Sequence, residues 1–165
     1  MANKVYVNPE TPIVFAPATA TVSNVTFEVD ALANGAGYQS AQHDLGTAPR
    51  SRMFAWRAFT QCQLTPVVGN IIRVYLKTSD GTYADNDDGT GDLAVSAENK
   101  LKNLKYIGAI IVDEAAANIP FVASGLVSIT SRYVQVVFWN ASGATLTTDV
   151  NEHGFILQAI PDEIQ

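Results

Sequence analysis

The sequence predicts an all-β fold, an antiparallel sandwich or barrel, and three observations carry that reading. Eight or nine short segments alternate apolar and polar residues with a period of two. Clusters of Gly, Pro, Asn and Asp separate them. No βαβ spacing occurs and scarcely one stretch has a helical pattern, so nothing supplies a layer of helices.

Taken in order, residues 1–20 read as an extended N-terminal arm and residues 21–165 as a single β-sandwich domain. Pro9, Pro12 and Pro17 remove backbone donors and bias the residues before them toward extended conformations. Val5, Tyr6, Val7, Ile13, Val14 and Phe15 are apolar, so the arm is expected to lie on a surface, either this domain's own edge or a neighbour's. From Thr21, residues Ser23, Val25, Phe27 and Val29 share one side of a strand. A loop with Gly35 and Gly37 leads into a weaker extended stretch at 38–45. Over 53–62, Phe54, Trp56 and Ala58 alternate with Arg57 and Gln61.

Residues 70–77 give the clearest strand: Ile72, Val74 and Leu76 point inward, Arg73, Tyr75 and Lys77 toward water. A Gly/Asp loop follows at 79–92. Residues 96–104 suit a helical turn, with Ser96 as N-cap and Leu101 and Leu104 on one face. Extended segments at 106–112, 120–130, 132–139, 145–148 and 155–160 complete the set.

Composition limits what such a domain does. The 165 residues carry 10 Lys and Arg against 16 Asp and Glu, a net charge of −6, which lacks the basic footprint of a nucleic-acid binder. Cys62 is the single cysteine, so neither an intrachain disulfide nor a structural zinc site is expected. Charged residues make up 16% of the chain, against roughly 25% in an ordinary soluble domain. A surface so short of charge is poorly protected against association, which suits a member of an assembly. The apolar run Val5-Tyr6-Val7 is too short for a signal peptide, and 133–139 too short to span a membrane.

Few residues offer chemistry. His43 sits beside Asp44 and His153 follows Glu152, but no G-x-S-x-G frame supplies a nucleophile, and Cys62 lies in an apolar strand. No enzymatic activity is expected. In the acidic loop, Asp85, Asp87 and Asp88 are the candidate ligands for a hard cation such as calcium. The EF-hand frame fails there: with Gly89 at its glycine position, the first ligand would be Ala84 and the closing glutamate Val95. An outward-pointing hairpin tip is the plainer reading, and neither metal nor cofactor is expected.

Arg50, Arg52 and Arg57 lie within eight residues and could grip a carboxylate-rich partner. Along 133–139 both alternating faces are apolar. Val134, Val136 and Phe138 fill the core, which leaves Tyr133, Val137 and Trp139 to be covered by a loop, the arm or another subunit. An aromatic pair on such a face could also form a sugar platform. The expected partner contacts are therefore Val5, Tyr6, Val7, Ile13 and Phe15 of the arm, with Tyr133, Val137 and Trp139.

Several stretches, taken in this order, resemble small structural proteins of tailed-bacteriophage virions. They are residues 31–37 (ALANGAG) with Asp44-Leu45-Gly46, Trp56-Arg57-Ala58, Pro66-Val67-Val68-Gly69, and Val74-Tyr75-Leu76 leading into Ser79-Asp80-Gly81-Thr82. Leu101-Lys102-Asn103-Leu104 before Ile107-Gly108, Arg132-Tyr133-Val134 with Trp139-Asn140, and the ending Ile160-Pro161-Asp162-Glu163-Ile164-Gln165 complete the likeness. The resemblance implies a jelly-roll head decoration, or cement, protein, with a tail component as the alternative. It further implies a homotrimer bound to the major capsid protein or another virion protein, assembled in the bacterial cytoplasm, with no nucleic-acid or membrane partner.

Overall fold

A computed structural model describes residues 11–47 and 51–160. The expected contacts Val5, Tyr6 and Val7, and also Arg50, lie outside the described residues. Eleven strands form two sheets: β1 (Ile13–Ala16), β2 (Val25–Thr26), β3 (Gly37–Gln39), β4 (His43–Asp44), β5 (Met53–Gln61), β6 (Ile71–Ser79), β7 (Leu93–Val95), β8 (Lys105–Ile111), β9 (Pro120–Ser128), β10 (Tyr133–Ala141) and β11 (Gly154–Ile160).

The first sheet runs β2-β1-β11-β5-β9 and the second β7-β3-β10-β6-β8, with β4 extending the line of β3 along β10. The antiparallel pairs are nested in sequence. β6 pairs β8, β5 pairs β9 around them, β3 pairs β10 around those, and β1 pairs β11 outermost. A chain whose strands pair in nested order is one long hairpin wrapped into two sheets, the jelly-roll arrangement. The fold expected from the sequence, an all-β antiparallel sandwich, is the one observed.

Period-two patterning builds the core between the sheets. Phe54, Trp56 and Ala58 of β5 and Phe155, Leu157 and Ala159 of β11 face Ile72, Val74 and Leu76 of β6 and Val134, Val136 and Phe138 of β10. Aromatic packing knits this layer, with Phe27 edge-on to Phe138 at 5.0 Å and Trp56 stacked on Phe155 at 5.9 Å. Gly125 on β9 lets the indole of Trp56 lie against the backbone, since a Cβ there would come within 2.9 Å of its Nε1.

The N-terminal boundary needs correction. β1 lies inside the first sheet, between β2 and β11, and Phe15 is fully buried in the core with its ring 5.9 Å from Phe155. Ile13 packs against the same cluster. These two side chains belong to the domain and are not free for a partner. The strand expected from Thr21 shrinks to Val25–Thr26, although Val25, Phe27 and Val29 are buried as the alternation implies. Residues 145–148 contribute only a bridge between Leu146 and Cys62.

Candidate interaction surface

The second sheet has an outer face that its own chain closes. From the end of β6, residues 80–104 turn back over that face as a strap, interrupted where β7 joins the sheet edge beside β3. Leu101 and Leu104, at a 3₁₀ turn spanning Glu98–Asn103, pack with Val95 over Val137 and Trp139. Trp139 retains 7% of its surface and Val137 none. Gly37 on β3 lies beneath the indole, where a Cβ would come 2.6 Å from Cε3. Of the three coverings open to the sequence, a loop of the same chain is the one present. Val137 and Trp139 are thus neither partner contacts nor a sugar platform in this fold. Tyr133 stays half-buried at the margin, with the Arg132 guanidinium 4.9 Å from its ring centre.

The strap is pinned by polar groups that the sequence assigned to solvent. Lys77, expected to face water, is 1% exposed. Its ammonium donates to the Gly89 carbonyl and to Gln39 Oε1 at 3.3 Å. Gln39 Nε2 in turn donates to the carbonyls of Asp88, Gly89 and Gly91. Burial pulls the Lys77 pKa down, while Asp88, Asp85 and Asp87 hold it up. A protein ammonium therefore compensates the acidic loop.

The carboxylates of that loop point to separate partners. Asp85 accepts from the Thr78 N–H at 2.6 Å and its hydroxyl at 3.0 Å, Asp87 pairs with Lys100, and Asp88 accepts from Ser96 Oγ at 2.9 Å. Among the described residues, no group of three His, Cys, Asp or Glu side chains converges on a point. The expected outward hairpin tip is instead folded onto the sheet. Ser96 is spent on Asp88, and the 3₁₀ turn starts after Ala97 without a side-chain cap. A polar cleft of about 430 Å³ between Asn86, Asp87, Lys100 and Asn103 lies within the strap itself.

The histidines are structural in their contacts. His153 is 1% exposed and sits between Thr60 Oγ1 and the Thr147 carbonyl, each 2.7 Å away. Because a carbonyl only accepts, Nε2 carries the proton and Nδ1 accepts from Thr60. Burial lowers the His153 pKa, so the ring is held neutral in a site closed to substrate. His43 packs edge-on to Phe15, and burial lowers its pKa too. Its neighbour Asp44 accepts two hydrogen bonds from Arg132, which hold its carboxyl at about 2. Cys62 is buried, with its thiol against Ser142 Oγ at 3.6 Å.

The first sheet presents the opposite case. Its outward residues follow from the register: Ile156 beside Arg57 beside Ser124, Gln158 beside Ala55 beside Leu126, Ile160 beside Met53 beside Ser128, and Gly154 beside Phe59 beside Val122, with Val14 next to Ile156. No described segment crosses this face. Leu126 is 66% exposed and Val122 47%, and Met53 and Ile160 are exposed as well. Among its described strand positions the one charge is Arg57, with no described carboxylate paired to it, while Glu152 stands at the end of β5 and accepts from Gln61 Nε2. Among the described residues the uncovered apolar sheet is therefore the first one, on the side of the sandwich opposite to the one expected.

Sequence reasoning missed this face because Met53, Ala55, Phe59, Val122 and Leu126 are spread over two strands whose neighbours only the fold supplies. Their signal was present as apolar residues at both parities of β5 and β9.

Fold and surface define a class, a jelly-roll sandwich with one strapped face and one bare apolar face. No protein-family model matches the chain, and no curated protein matches it either. No helix among the described residues is long and apolar enough to cross a membrane.

Proposed function

We propose that this protein is a non-enzymatic structural component of a bacteriophage particle, a decoration subunit that stabilises the capsid by contact. The observation that carries the reading is the bare outer face of the first sheet. Large apolar patches on soluble domains mark surfaces completed by another molecule. The ordered resemblance of most of residues 31–165 to phage virion proteins supports a phage particle as the assembly, and the major capsid protein is the proposed partner. A protein that binds the closed shell better than loose subunits shifts the equilibrium toward the shell.

β5 and β9 contribute nine residues each to the face, β11 seven and β1 four, which at about 3.4 Å per residue and about 4.8 Å between strands covers roughly 470 Å² per partner. That lies below the standard size of specific interfaces, so each contact is modest and many linked copies give retention. Residues 1–10, with Val5, Tyr6 and Val7, are proposed as a second contact.

Co-sedimentation with phage heads assembled without this protein tests the reading. Wild type is expected to pellet with the heads, and the double variant Met53→Asp, Ile156→Asp to stay in solution. Deleting residues 2–10, which leaves β1 in place, is expected to weaken binding. Wild type that never pellets would remove the proposal.

A further inference from the structure

Resting on the contact function proposed above, we infer that the partner presents to Arg57 a carboxylate set in an apolar protein surface. The argument begins with where the charges lie. The chain carries six more acids than bases, yet none of the outward positions of β1, β5, β9 and β11 in the first sheet is acidic. The one ionic side chain there is Arg57, near the middle of β5, with Ile156 on one flank and Ser124 on the other. Ala55 and Phe59 precede and follow it on the same face. Docking any apolar surface here takes the guanidinium out of water, and a buried charge left without a partner strongly opposes binding.

A second copy of this chain is a poor occupant. Face-to-face pairing across a two-fold axis brings each Arg57 toward its mate, and none of the described outward strand positions is a carboxylate that could separate them. A different protein surface solves the problem if it carries an acid opposite Arg57. The guanidinium then makes a bidentate pair, shielded by Met53, Phe59, Val122, Leu126 and Ile156 as a water-excluding rim. An interface of this small area gains its register from one such anchor.

The substitution that decides is Arg57→Met, because the two accounts predict opposite signs. If the partner surface is purely apolar, removing the charge strengthens binding. If a carboxylate waits there, the same change strands it unpaired and binding weakens. The assay is the binding isotherm on phage heads assembled without this protein, with folding of each variant checked by circular dichroism.

Expected are Arg57→Met at least 30-fold weaker, Arg57→Glu at least 100-fold weaker, and Arg57→Lys about 10-fold weaker because charge survives without the planar fork. Wild-type affinity or better for Arg57→Met overturns the inference while leaving the contact function standing. Wild type that fails to bind the heads refutes the function itself. A wild-type dimer in light scattering that Arg57→Glu converts to monomer would show that a second copy occupies the face, and would also overturn the inference.

Discussion

Replacing Trp139 by alanine separates a strapped face from an exposed one by magnitude alone. With 7% of its surface exposed, the indole rests on Gly37 and under Leu101, Leu104 and Val95. Burying some 200 Å² of aromatic surface at about 25 cal/mol per Å² gives an upper bound of about 5 kcal/mol. A strap can settle into part of the space, so a loss of about 3 kcal/mol is expected, near the bottom of the range for large-to-small core changes. In a chain of 165 residues that lowers the thermal midpoint by about 10 °C. Urea and thermal unfolding followed by circular dichroism measure both quantities. A loss under about 1 kcal/mol would mean that Trp139 is wetted, and the strap would not cover the second sheet as described.

Three other outcomes follow from the same contacts. His153 has a folded pKa lowered by burial, against about 6.5 unfolded, so below pH 6.5 the unfolded chain binds the extra proton. Stability should hold steady above that pH and decline as pH falls toward the folded value, and His153→Gln should flatten the decline in urea midpoints between pH 7.5 and 5. Because Asp85, Asp87 and Asp88 already serve Thr78, Lys100 and Ser96, millimolar calcium should leave the thermal midpoint within about 1 °C, whereas a rise of several degrees would restore the cation site. Lys77→Ala removes the ammonium that holds Gly89 and Gln39, and should loosen the strap, read as faster hydrogen exchange at 86–95 with the core strands unchanged.

Legibility in the sequence tracked the reach of the interactions. β5, β6, β9, β10 and β11 were readable because a strand facing a core writes its own period of two. The 3₁₀ turn with Leu101 and Leu104 on one face was readable for the same local reason. What escaped was set by distant partners. Lys77 reads as a wetted position on an amphipathic strand until residues 86–91 arrive from above it, and Asp88 reads as a tip residue until Ser96 donates to it. Phe15 looks like part of an arm until β11, 140 residues later, pairs with it. The two apolar sides of β10 correctly implied a cover, but alternation cannot distinguish a cover supplied by the chain from one supplied by a neighbour. The bare face formed by β5, β9 and β11 required the strand order.

The most direct measurement is a reconstruction of the intact phage particle at a resolution that shows the orientation of a jelly roll on its surface. The contact account predicts the first sheet pressed against the shell, with Arg57 and Ile156 at the junction and the strap at 80–104 turned to solvent. A particle that lacks the protein, or one that holds it by the strapped sheet while Leu126 and Val122 stay in water, would contradict it.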